Sequence, residues 1–202
     1  GGATTGHTGR PVELIDPRSG RITVVGQLSV PRLDAASVVL ADGRALVCGG
    51  FTSGEGGTFG ISRSCDLWDP ATATMRRLDG TMTTARAGHR MTRLRDGRVL
   101  VSGGYSADQP YRYAELLDPQ TLRFTAINAP VTQPLAQQVA VLHTDGSVLL
   151  IGGERAPGLE AEPRAEVWRF DPGAGTFSAR PPLARARTLA AGVALRDGRV
   201  LL

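Results

Sequence analysis

Short apolar runs punctuate the chain, among them Val38-Val39-Leu40, Ala45-Leu46-Val47, Val99-Leu100-Val101 and Val148-Leu149-Leu150-Ile151. Runs of this length, bounded by turn residues, predict short strands rather than helices. They come in pairs around an Asp-Gly dipeptide: Asp42-Gly43, Asp96-Gly97, Asp145-Gly146 and Asp197-Gly198. Asp-Gly between apolar runs predicts a hairpin, because glycine takes the positive φ of a tight turn. The second run of a pair ends on Gly49-Gly50, Gly103-Gly104 and Gly152-Gly153, where crowded backbones leave no room for a side chain.

A second pattern keeps the same beat of about 50 residues. Glu13-Leu14-Ile15-Asp16-Pro17 is matched by Asp66-Leu67-Trp68-Asp69-Pro70, by Glu115-Leu116-Leu117-Asp118-Pro119 and by Trp168-Arg169-Phe170-Asp171-Pro172. Ile22, Met75, Phe124 and Phe177 each follow the proline by five positions. Asp-Pro starts a turn between two strands. One unit is therefore four antiparallel strands, as in Ala36 to Leu40, Arg44 to Cys48, Cys65 to Trp68 and Met75 to Leu78. Repeated four-stranded units predict an all-β propeller. Its divisions fall at 1–30 (partial), 31–80, 81–130, 131–180 and 181–202 (partial), giving three complete units and two halves.

These repeats resemble kelch repeats, in the bacterial form similar to the central domain of galactose oxidase. The hydrophobic run, the Gly-Gly pair, the residue before Asp-Pro and the spaced hydrophobe carry the resemblance along the whole chain. The family's Tyr before Asp-Pro is here Ile15, Trp68, Leu117 and Phe170, and its later Trp is Ile22, Met75, Phe124 and Phe177. The resemblance implies a kelch-type β-propeller of about four blade units, as part of a six- or seven-bladed ring. The alternative is that the terminal halves pair and close a small ring. As a fragment, the chain would have neighbouring blades as partners.

Composition adds little that is specific. All 23 basic residues are arginine, and the formal net charge is +4. The arginines are spread through the turns with no basic tail, so no nucleic-acid partner is expected. No apolar stretch approaches the ~18 residues of a membrane-spanning helix, so no membrane insertion is expected. The chain starts at Gly1-Gly2, so the missing signal peptide leaves the compartment undetermined; an extracellular or periplasmic setting is favoured.

Candidate chemistry is sparse. Arg32, Arg86 and Arg187 each stand ten residues before the hairpin Asp, with Leu135 in the third unit. In the kelch adaptors of ubiquitin ligases, arginines at the matching position receive acidic peptides. The resemblance thus implies an anion-binding ring of guanidinium groups, which suit carboxylates. The competing reading is that these arginines hydrogen-bond neighbouring loop carbonyls. Similarly, Glu13 and Glu115 recur with the units and are expected to satisfy backbone donors around the Gly-Gly pair. Cys48 ends one strand and Cys65 begins the next, which suits either a disulfide or two small buried thiols.

His89 and His143 are expected at opposite ends of their strands, and no metal or other cofactor is expected. Tyr105, Tyr111 and Tyr113 share one loop without a suitably placed cysteine. The family's copper-radical chemistry is therefore not expected of this chain. The longest loops are Phe51 to Ser64, Tyr105 to Tyr113 and Glu154 to Arg164. The expected role is a non-catalytic binding module presenting these loops to a protein, a peptide, a glycan (a carbohydrate ligand) or another anionic ligand. The alternative is a fragment of a galactose-oxidase-like oxidase or a kelch sugar isomerase, with catalytic residues outside the chain.

Overall fold

The computed structural model describes residues 3–4, 7–8, 11–53, 59–107, 113–131, 135–155 and 161–202. The regular elements among them are all β-strands. Strands β1 (Ala3–Thr4) and β2 (His7–Thr8) pair, as do β3 (Pro11–Ile15) and β4 (Ile22–Gln27). The first complete sheet runs in spatial order β5 (Ala36–Val39), β6 (Ala45–Cys48), β9 (Cys65–Asp69) and β10 (Thr74–Arg77). A small hairpin of β7 (Phe51–Ser53) and β8 (Phe59–Ile61) stands between β6 and β9 in the chain. The second sheet is β11 (Arg90–Arg93), β12 (Val99–Ser102), β13 (Ala114–Leu117) and β14 (Phe124–Ile127). The third is β15 (Val139–Leu142), β16 (Val148–Ile151), β17 (Val167–Asp171) and β18 (Thr176–Arg180). A last hairpin joins β19 (Val193–Ala194) to β20 (Val200–Leu201).

The turns form as the dipeptides require. Gly43, Gly97, Gly146 and Gly198 have φ of 88°, 89°, 88° and 86°. The Asp before each accepts a hydrogen bond from the backbone N–H two residues on, as Asp42 Oδ1 does from Arg44 at 3.0 Å. The Asp-Pro carboxylates do the same, Asp69 with Ala71 and Asp171 with Gly173, both at 2.9 Å.

The sheets pack face against face. Alternate residues of β12 point to opposite neighbours: Val99 and Val101 join the core shared with the first sheet, and Leu100 the core shared with the third. A strand covered on both faces needs apolar residues at every position, which is why the runs are continuous rather than alternating. The first strands of successive units, β5, β11, β15 and β19, neighbour one another in file.

The two terminal hairpins, β3–β4 and β19–β20, belong to separate sheets, so the structure does not join them into a fourth complete unit. The large exposed hydrophobics gather on these two flanks. Leu14, Ile15, Ile22, Val24, Leu33 and Val39 lie on one, and Leu189, Val193 and Leu201 on the other. No described helix is long and apolar enough to cross a membrane.

Candidate functional site

At one end of the stack each Gly-Gly pair meets the segment leading into the next unit's first strand. The N–H of Gly50 donates to Arg86 O at 2.7 Å, that of Gly104 to Leu135 O at 2.9 Å, and that of Gly153 to Arg187 O at 2.9 Å. A Cβ on Gly103 would stand 2.3 Å from Leu135 O, and one on Gly49 2.4 Å from Arg86 O. The glycine before the bonded one is therefore fixed by a crossing carbonyl, and the pair works as an inter-unit joint.

The repeated arginines serve the same joint from within the unit. Arg32 is buried and donates through Nε and Nη2 to Asp66 Oδ2, at 3.1 and 2.9 Å. Its Nη1 reaches Gly49 O at 2.7 Å, and Nη2 also reaches Ser64 Oγ at 2.7 Å. Arg86, 0% exposed, repeats this with Glu115 Oε1 at 3.1 and 3.0 Å and with Gly103 O at 2.7 Å. A ligand at the surface would have to displace buried ion pairs to reach either guanidinium. The acids complete the clamp on the lead-in side: Glu115 accepts from the N–H groups of Thr83 and Thr84, and Asp66 from that of Ser29. The backbone donors they satisfy thus lie ahead of the first strand, while the Gly-Gly carbonyl is held by the arginine.

In the third unit both partners change together. Leu135 replaces the arginine and Trp168 the acid, and the two join one apolar cluster. Such a swap is physically sound, since a well-packed apolar pair replaces a buried ion pair at little or no cost in stability. Arg187 is the exception among the arginines. It is exposed and has no carboxylate partner among the described residues. Arg32 and Arg86 are thus committed to buried ion pairs, and Arg187 stands exposed in the last unit.

What does converge at this end lies one and two residues further on. Asp34, Gly88, Gln137 and Leu189 occupy equivalent positions, with φ of 55°, 64°, 53° and 53°. They form a backbone relay from unit to unit: Gly88 N–H to Asp34 O at 2.8 Å, Gln137 N–H to Gly88 O at 2.9 Å, and Leu189 N–H to Gln137 O at 3.3 Å. The relay holds three non-glycine residues in the left-handed region, which is costly without such support. Gln137 Nε2 also donates to Asp34 Oδ2 at 3.3 Å.

Beside this relay runs a row of side chains. Phe51, Tyr105 and Glu154 each follow a Gly-Gly pair. Phe51 and Tyr105 stack with centroids 5.9 Å apart. The Tyr105 hydroxyl donates to Glu154, and the Thr188 hydroxyl donates to Glu154 Oε2 at 2.7 Å. Burial, then the bond to Glu154, pushes the Tyr105 phenol above its ordinary value. Sequence reasoning missed Asp34, Gln137, Glu154 and Thr188. The signal was present, since each lies at a fixed step from a repeated motif, but these residues differ in kind from unit to unit.

The remaining candidates fall elsewhere. Cys48 and Cys65 are joined in a disulfide between directly paired residues of β6 and β9, with Cα atoms 4.1 Å apart. His89 is buried against Gly49 with neither ring nitrogen hydrogen-bonded among the described residues. Burial, reinforced by Arg86, Arg90 and Arg32, lowers it to about 3. His143, beyond the far end of β15, bonds Gly198 O at 2.6 Å and faces Asp145. No group of three metal-ligating residues gathers among the described residues. Tyr113 donates to Gln138 Oε1 at 2.7 Å. Tyr111, the side chain of His7, and the loop portions 54–58, 108–112 and 156–160 lie outside the described residues.

No protein-family profile matches the chain, and no curated protein matches it. Among solved structures it is similar in fold to YjhT, with a TM-score of 0.75 at 18% identity over 97% of this chain. The chain spans 66% of the length of that protein.

Proposed function

We propose that the chain is a stretch of a kelch-type β-propeller whose lead-in end is a non-catalytic binding face for a glycan. The propeller reading is supported by the 50-residue beat, by the three four-stranded units in file and by the uncovered flanks, which further blades would bury. The likeness to YjhT, a longer chain, is compatible with it.

One observation carries the binding reading. At this end Arg32 and Arg86 are buried and committed to the joint, while residues at neighbouring equivalent places differ in kind from unit to unit, with Asp34 and Leu189 exposed among them. Asp34, Gly88, Gln137 and Leu189 vary, as do Phe51, Tyr105 and Glu154. Rigid scaffolds carry recognition on such variable positions. The exposed Asp34 carboxylate and the half-buried Phe51 ring, backed by the buried Gln137 and Tyr105, suit the hydroxyl groups and the apolar face of a sugar ring.

The test uses Asp34→Gly with Gln137→Gly. Glycine suits the positive φ at both positions and already stands between them at 88, so the backbone relay survives. On a glycan array the unmodified chain retains at least one sugar, and the double variant loses it by about tenfold or more. Absence of any retained glycan, or equal retention by the variant, rejects the glycan reading.

A further inference from the structure

The opposite end of the stack carries the Asp-Gly turns and the arginines around them. There the carboxylates of the Asp-Gly turns are each matched by an arginine: Asp42 by Arg44 at 2.7 Å, Asp96 by Arg98 at 2.6 Å, Asp145 by Arg169 at 3.2 Å and Asp197 by Arg199 at 2.7 Å. Arg93, at the end of β11, and Arg95, just before the turn, have no ion pair among the described residues. Each reaches a backbone carbonyl of a neighbouring unit through one nitrogen. Arg93 Nη1 contacts Leu40 O at 3.1 Å and Val39 O at 3.3 Å, and Arg95 Nη2 contacts Thr144 O. A guanidinium has five N–H donors, so both keep donors to offer.

The two arginines line one hollow of about 510 Å³, together with Ala41, Leu94, Leu142 and Asp96. The Asp96 charge is already met by Arg98. The arrangement belongs to the second unit alone. Positions equivalent to Arg93 hold Val39, Leu142 and Ala194, and those equivalent to Arg95 hold Ala41, Thr144 and Arg196. A general need to staple units together would repeat the pair, as the buried Arg–acid clamp is repeated.

We propose that this hollow binds an organic anion, a phosphate or carboxylate group carried on a small organic body. Arg93 and Arg95 take the anionic group through their remaining donors, with the strength of charge-assisted bonds. Leu94, Leu142 and Ala41 take the body. The hollow is much larger than a bare ion needs, given that a water occupies about 30 Å³.

Titration calorimetry tests this with phenyl phosphate, benzoate and inorganic phosphate, on the unmodified chain, on R93Q/R95Q and on R196Q. Saturable one-to-one binding of phenyl phosphate or benzoate is expected, weakened about tenfold or more in R93Q/R95Q and unchanged in R196Q. The tighter of the two organic ligands assigns the phosphate or the carboxylate. The proposal is overturned if neither organic anion saturates, if inorganic phosphate binds as tightly as phenyl phosphate, if R93Q/R95Q binds like the unmodified chain, or if R196Q loses as much. Should R93Q/R95Q fail to fold, R95Q alone keeps the Arg93 bonds to the first sheet. A threefold or greater loss in R95Q then supports the site, and no loss overturns it.

Discussion

The arginines at the head of the first two complete units are each held by a buried acid. Arg86 and Glu115 are both fully buried, so truncating either leaves an uncompensated charge. Arg86→Ala is expected to cost about 3–5 kcal/mol in urea unfolding. Replacing both, as R86L/E115L, is expected to recover more than half of that loss, following the Leu135 and Trp168 pair of the third unit. His89 makes a pH-dependent contribution of predictable sign. Its folded value of about 3 lies below the ordinary 6.5. Between these values the unfolded chain binds a proton that the folded chain does not. Stability is therefore full above pH 6.5 and falls as the pH drops toward 3, by at most about 1.4 kcal/mol per unit. His89→Gln, the residue of the next unit at this position, is expected to flatten that fall relative to the unmodified chain in unfolding measured at pH 7, 5.5 and 4.

Among the elements, the strands were the most legible part of the chain. The four strands read around Ala36, Ala45, Cys65 and Met75 lie within a residue of β5, β6, β9 and β10. The reason is physical: Asp-Gly, Gly-Gly and Asp-Pro each force a local geometry that needs no distant partner. The site was less legible because its residues are set by position relative to those motifs, and their neighbours come from other units. Asp34 and Gln137 are 103 residues apart in the chain and meet only through packing. Arg32 and Arg86 could be placed from sequence at the head of their strands, but not whether they turn outward or inward. Their inward turn follows from the acid two strands away, a pairing the repeat displays only when units are compared. The cysteines depended on register, since a slip of one residue would have parted Cys48 from Cys65. With a sequence separation of 17, C48A/C65A is expected to lower stability by about 3 kcal/mol in denaturant unfolding. An unchanged midpoint would mean that packing alone secures β6 against β9.

At the scale of the whole molecule, both proposed sites rest on one architecture: a file of units open at its two flanks. The edges of β3 and β20 are exposed where equivalent strands of the complete units are covered. Leu14, Ile15 and Leu201 are 49%, 62% and 61% exposed, against 2% for Leu67 and 0% for Leu46. Exposed apolar strand edges invite pairing with another chain, so concentration-dependent association is the natural behaviour of this stretch on its own. Native-state hydrogen exchange tests the open file most directly, because it reads each strand separately. The amides of β12, β13, β16 and β17 are expected to be the slowest, with those of β3 and β20 exchanging about a hundredfold faster or more at a concentration where the chain is monomeric. Equal protection of β3 and β20 in the monomer would mean that the two ends pair and close the ring, and would contradict the open file.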